Sequence, residues 1–227
     1  MTMPAPKTSA YEVRAMLPGE LAGIAQIHCA AFPSSGLSLL GEKIVERYYE
    51  WQLARVPGAT TFVICSGRSV RGFAICGDTL CSTGQFMLEH AGSIVHTVLR
   101  RPQMIADPRF VRFLSYAARV LLPRRPRAGG VAERCPAPAA RRFWVEAIAV
   151  HPAERGRGLG SMLLRQCEQA AAAHGFAECF LAVEPENADA VRLYRHRGWE
   201  PVPSNGLWNG RMRKTLTPVN VGTSLTT

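Results

Sequence analysis

The sequence predicts an α/β fold for this 227-residue chain, on three observations. Short β-branched or aromatic runs alternate along it with segments of helical apolar spacing, and glycine or proline stands at the joints. The residues are 47% hydrophobic and 19% charged, as in ordinary globular proteins rather than disordered or fibrous ones. The length suits one good-sized core, and two full domains would be cramped in it.

In order, YEVRAML (residues 11–17) alternates as a strand does. PGELAGIAQIHCAAF reads as a helix, with Pro18 early and Leu21, Ile24, Ile27 and Cys29 at helical spacing. FPSSG breaks it, and LSLLGEKIVERYYEWQLARV reads as a second helix ended by Pro57-Gly58. TTFVICS and VRGFAIC are strands of a hairpin joined at Gly67-Arg68. From Asp78 the pattern changes, and residues 79–141 read as an insertion of two helices and a flexible basic loop. In the second of these, Phe110, Phe113, Leu114, Ala117 and Leu121 share a face, with Arg109, Arg112 and Arg119 elsewhere. Packing on the core is the default for such a face, and contact with a membrane surface is the alternative.

FWVEAIAV (residues 143–150) reads as a strand buried on both faces. HPAERGRGLG turns, and SMLLRQCEQAAAAH is a helix closed by Gly175. FAECFLAV is the next strand. NADAVRLYRHRG is a short helix with Asn187 as N-cap and Gly198 as terminator. WEPVPSNGLWNGRMRKTL supplies a last pair of strands with an Asn-Gly turn. A single domain over residues 11–216 is expected, with a disordered N-terminus (1–10) and a flexible tail (217–227).

The formal net charge of +10 and pI near 9.8 invite a polyanionic partner, and much of the excess falls in residues 124–142. That segment has no interleaved aromatics and no recognisable nucleic-acid module, so nucleic acid is not expected, whereas a phosphate-rich small ligand would suit. Seven scattered cysteines without a C-x-x-C pair argue against a disulfide framework and a zinc site. No run approaches transmembrane length, and the start MTMPAPKTSAYEVR lacks the apolar core of a secretory signal, so a cytoplasmic location is expected.

RGRGLGSMLL, from Arg155 to Leu164, lies between a strand and a helix. Backbone N–H groups at a helix start are unpaired, the helix dipole adds positive potential, and Arg155 and Arg157 add full charge. A phosphate or pyrophosphate fits such a place. A P-loop would need a lysine before Ser161, and a dinucleotide fingerprint would need glycine at Ser161, so neither matches. A turn without a ligand stays open as the plain alternative. The pattern R/Q-x-x-G-x-G/A is met at Arg155, Gly158 and Gly160.

With that pattern, VEAIAVHPAERGRGLGSMLL resembles the acyl-CoA-binding motif of the GNAT superfamily of N-acetyltransferases. NADAVRLYRHRGW is similar to the superfamily's second motif, with Trp199 where phenylalanine is usual. The resemblance covers residues 144–199 and implies a mixed central sheet of about six or seven strands with helices on both faces, plus the inserted helical segment. It implies acetyl-CoA as acyl donor and no metal. The pyrophosphate would rest on the amides of Gly156, Arg157, Gly158, Leu159, Gly160 and Ser161, beside Arg155. The pantetheine arm would pair with the backbone of Ile148 and Val150, and Asn187 would hold it from the other side or serve only as a cap.

Tyr194 is the expected general acid, with core packing as its alternative. Glu146 is the expected base, read as sharing strand parity with Ile148 and Val150. A structural pairing with arginine is as open for it, and Glu184 competes for the role. His151 reads as a surface residue, and Cys167 and Cys179 as core. The expected acceptor is a small-molecule primary amine, with an amino sugar among the candidates and a neutral or anionic one slightly favoured. A non-catalytic acyl-CoA-binding regulatory module and acetylation of a protein amine are the alternatives. Monomer and homodimer are both open.

Overall fold

The computed structural model describes residues 11–17, 19–55, 58–78, 83–121, 141–204 and 207–217. The N-terminal segment, the basic loop over 122–140, the Asn205-Gly206 turn and the tail beyond 217 lie outside the described residues, as do Cys81 and Cys135. Strands β1 (Glu12–Ala15), β2 (Thr60–Ser66), β3 (Ser69–Gly77), β4 (Phe143–Val150), β5 (Glu178–Ala182), β6 (Glu200–Pro201) and β7 (Arg211–Thr215) form one sheet. Its order is β1-β2-β3-β4-β5-β7-β6, antiparallel throughout except for the parallel β4–β5 pair. This is the mixed sheet that the sequence leads one to expect.

Helices α1 (Leu21–Ala31), α2 (Gly36–Leu40) and α3 (Glu42–Arg55) precede the β2–β3 hairpin. The single helix expected over residues 37–56 is thus two helices. Gly41, at φ +92°, turns the chain between them, a conformation that L side chains rarely adopt. Among its described residues the inserted segment holds three helices rather than two: α4 (Thr83–Glu89), α5 (Ala91–Arg100) and α6 (Pro108–Leu121), with a 3₁₀ turn at Pro102–Ala106. The run from Phe86 breaks at His90, whose backbone N–H donates to Phe86 O at 3.0 Å and closes α4. Phe110 is buried and Phe113 partly so, the core-packing face expected of α6, while Leu114 is exposed. No helix among the described residues is long and apolar enough to cross a membrane.

Helices α7 (Leu159–Ala173) and α8 (Ala188–His196) complete the fold. One core packs α1, α3 and the inserted helices against β2, β3 and Ala149 of β4. The other sets Leu163, Leu164, Cys167 and Ala171 of α7 against the opposite face, with Tyr194 and Trp199. Trp199 is 2% exposed, and its indole N–H donates to Glu168 Oε1 at 3.0 Å. Lys214 and Arg197 neutralise the same carboxylate at 2.8 and 3.6 Å. A phenylalanine could not make that bond, so tryptophan here ties the end of α8 to α7 and holds Tyr194 in place.

Gly210 is indispensable beside β5. It sits at φ +91°, and a Cβ there would lie 1.9 Å from the Val183 carbonyl oxygen. Gly210→Ala is expected to cost about 2–4 kcal/mol, from backbone strain plus a clash with main chain that cannot yield. Urea unfolding measures this, and a loss below about 0.5 kcal/mol would show that the strand end relaxes freely.

Candidate functional site

The β4–β5 ladder stops early. Its last pair is Val145 with Leu181, whereas β4 stays paired with β3 through Val150. The two parallel strands therefore splay, and β4 from Glu146 to Val150 has no strand on its β5 side. The edge opens on a cleft where two cavities meet. This accounts for a departure from expectation: β4 is half-buried at Glu146, Ala147, Ile148 and Val150 rather than covered on both faces.

One cavity, of about 590 Å³, is walled by Ile148 to Val150, the loop from Glu154 to Ser161 and the start of α8. Gly156 and Gly158 stand at φ +78° and +77°, so glycine is needed there for the turn itself. The first intrahelical bond of α7 runs from Met162 N to Gly158 O at 3.2 Å, which leaves the amides of Leu159, Gly160 and Ser161 without helical acceptors. Arg155 lines this cavity, with Nη2 3.4 Å from the Ala31 carbonyl. Arg157 does not. It turns to the other side of the loop, donating to Tyr11 Oη at 2.7 Å and pairing with Glu154 at 3.2 Å. Its charge secures the loop to the β1 side rather than facing the cleft.

The second cavity, of about 560 Å³, lies between α1, α3 and the strand ends. Ala31, Phe32, Ile148, Asn187, Ala190 and Tyr194 wall both cavities, so the two adjoin. Asn187 caps α8, its Oδ1 accepting from Ala190 N at 3.2 Å, and it lines both cavities. Tyr194 is 6% exposed, and its hydroxyl makes no hydrogen bond among the described residues. Burial, with a smaller push from Cys167, drives the phenol up to about 12.

Glu146 opens into the second cavity, and its position departs from the expected parity. Ile75 pairs with Ala147 and Cys76 with Val145, so Glu146 is the extra residue of a β-bulge. The bulge reverses the alternation: Ile148 and Val150 pack toward α7, while Ala147 and Ala149 face the α1–α3 core. Glu146 turns toward α3, where Tyr48 Oη donates to its Oε1 at 3.4 Å. Burial pushes its carboxyl up to about 7, opposed by the Gln52 amide and the Tyr48 hydroxyl. Gln52 opposes it by proximity only, since neither amide atom makes a hydrogen bond of acceptable geometry. No arginine pairs with Glu146 among the described residues. Glu184 is exposed at the rim of the same cavity.

His151 accepts from Ala153 N at 3.3 Å as the cap of a 3₁₀ turn. Cys167 and Cys179 are fully buried, and burial helps to hold both thiols above their ordinary range. Among the described residues, no three His, Cys, Asp or Glu side chains cluster as metal ligands would. The sequence reading missed the far wall. His28, with Nδ1 2.7 Å from Tyr49 Oη and Nε2 3.2 Å from Ser35 Oγ, lines it together with Tyr48 and Gln52. The one signal for Gln52 was a polar residue within the buried stripe of α3, beside Tyr48 and Tyr49.

A family model described as "Acetyltransferase (GNAT) family" matches residues 116–199. Among solved structures, a Salmonella typhimurium protein described as an acetyltransferase with its cofactor acetyl-CoA is 18% identical, with a TM-score of 0.54 over 96% of this chain and 100% of that one. A Pyrococcus horikoshii protein is 16% identical, with a TM-score of 0.55 over 91% and 99%. The PaiA N-acetyltransferase of Thermoplasma acidophilum, in complex with coenzyme A, is 11% identical, with a TM-score of 0.51 over 90% and 98%. No curated protein matches the chain by sequence.

Proposed function

Residues 116–199 match the GNAT acetyltransferase family model and solved acetyltransferases share the chain's fold, and from this premise we propose that it moves an acetyl group from acetyl-CoA to a primary amine of a small molecule by direct attack in a ternary complex. The observation that carries the reading is the pair of adjoining cavities. An anion-binding loop stands at one end, a buried carboxyl at the other, and Tyr194 between them.

Acetyl-CoA, when bound, supplies the thioester carbonyl that is attacked and the sulfur that leaves. Its phosphates suit the amides from Gly156 to Ser161, of which those of Leu159, Gly160 and Ser161 lack helical acceptors, with the Arg155 guanidinium beside them. The open edge of β4 at Ile148 and Val150 suits the amide-bearing arm, and a backbone N–H there suits the oxygen on which charge develops. Asn187 borders the arm from α8.

Alkyl ammonium groups have pKa values near 10.4, so most amines arrive charged. Glu146, held near 7, is a better base for that proton than an ordinary carboxylate, and it is ionised above neutrality. The freed nitrogen lone pair forms the C–N bond, and the C–S bond breaks. Tyr194 donates a hydrogen bond to the departing sulfur. A phenol near 12 is too weak an acid to surrender its proton wholly to a thiolate of pKa about 8.5. Its contribution is therefore a bond that strengthens as charge moves onto sulfur, while the proton that sulfur finally takes is the one the new amide nitrogen sheds.

Calorimetric titration tests the donor site. Acetyl-CoA is expected to bind with micromolar Kd and NAD not at all. Arg155→Ala should weaken acetyl-CoA about tenfold, the value of one charged hydrogen bond, whereas Arg157→Ala should leave it within about threefold. Equal losses for the two variants, or absence of binding to the folded protein, would contradict the placement of the phosphates.

A further inference from the structure

We infer that the acceptor is a primary amine carrying a neutral hydroxyl or carboxamide group near its nitrogen and no anionic group, with Gln52 as the residue that selects it. The inference rests on the acetyltransferase reading and deepens it. Gln52 is 1% exposed on α3, lines the second cavity beside Glu146, and leaves both Oε1 and Nε2 unpartnered. Buried polar atoms in folded proteins are nearly always satisfied, so an amide that lies near Glu146 yet completes no hydrogen bond points to a group that the ligand brings. An amide offers one acceptor and two donors. A hydroxyl or a carboxamide, each of which donates and accepts, complements it; a methyl does not, and a carboxylate or phosphate cannot donate.

Charge gives the second half of the inference. The chain has a formal net charge of +10, yet no lysine or arginine lines this cavity among the described residues. Its charged groups are the carboxyls of Glu146 and Glu184. His28 stays neutral at physiological pH because burial pushes it down to about 4. An anion would meet two carboxylates and no cation, whereas an ammonium would meet attraction. The slight sequence-based preference for a neutral or anionic acceptor therefore narrows to the neutral one. The aromatic walls at Phe32, Tyr48 and Tyr49 suit the apolar flank of such a molecule, and 560 Å³ lies within the range of small-ligand sites.

The test uses matched amines with the full-length protein: serinamide against serine, glucosamine against glucosamine 6-phosphate, and 3-amino-1,2-propanediol against propylamine. The wild type is expected to favour the first of each pair by at least about tenfold in kcat/KM, because a site built for a hydrogen bond rejects the analogue lacking it. Gln52→Met, close in shape, should erase the preference for aminopropanediol over propylamine, whatever change in Glu146 the two amines share. Titration of the same amines without donor reads the pocket apart from catalysis. Binding of the neutral members that weakens in Gln52→Met supports the inference even if no acetyl transfer follows, a result that would instead count against the enzyme reading. Failure of every neutral member to bind, equal binding of the anionic members, or an equal loss for aminopropanediol and propylamine in Gln52→Met overturns it.

Discussion

Glu146→Gln is expected to lower kcat/KM by about 10²- to 10⁴-fold, the usual range for a positioned acid–base group. The wild-type profile should rise with pH through about 7, because the base acts only when ionised. In the variant that limb should vanish, leaving only the rise that follows deprotonation of the free amine near 10.4. A second readout separates this role from a structural one. The folded-state carboxyl sits near 7, above its ordinary 4.5, so the native state binds more protons than the unfolded chain between these values. The stability Glu146 contributes is complete below about 4.5 and is lost as pH rises through 7. At pH 8 the buried charge is a cost that glutamine removes, so the variant should be more stable by up to about 3 kcal/mol. A variant that is dead and less stable at pH 8 would make Glu146 a structural residue.

Tyr194→Phe carries the second large effect, a fall in kcat of about 10²-fold. Its hydroxyl makes no hydrogen bond among the described residues, so its removal should cost little stability. The ring stays packed between α7 and Trp199, and acetyl-CoA should bind within about twofold of the wild type. The loss should appear in kcat and not in the donor KM, the mark of an interaction made only as sulfur departs. Stopped-flow thiol release measures it. An unchanged kcat would place Tyr194 in the core alone.

The cavity beside the glycine-rich loop was legible in the sequence because the residues that wall it are local. Arg155, Gly158, Gly160, Asn187 and Tyr194 lie on one strand–loop–helix–strand–helix run, and the caps at Gly175 and Gly198 sit where their spacing predicts, both with positive φ. Two details of that run escaped. Arg157 was counted with the loop's charges because counting cannot see Tyr11 and Glu154 drawing it aside. Glu146 was placed by a two-residue period, and one extra residue in a bulge inverts that count without any mark in composition.

The second cavity was hidden for a different reason. Tyr48 and Gln52 reach Glu146 across nearly a hundred residues of chain, brought there by the packing of α3 over the sheet and the β3–β4 pairing. Nothing in α3 alone distinguishes a glutamine that lines a cavity from one that faces solvent. The break at Gly41 escaped because glycine inside an apolar run lowers helix propensity only modestly, and only the positive φ reveals a turn.

Initial rates of thiol release over a grid of acetyl-CoA and amine concentrations test direct transfer across the shared wall most directly. Intersecting reciprocal plots, acetylated amine equal to the thiol released, and no acetyl group on the protein are expected. Parallel plots with an acetylated side chain would contradict it, as would release of thiol at the same rate without any amine.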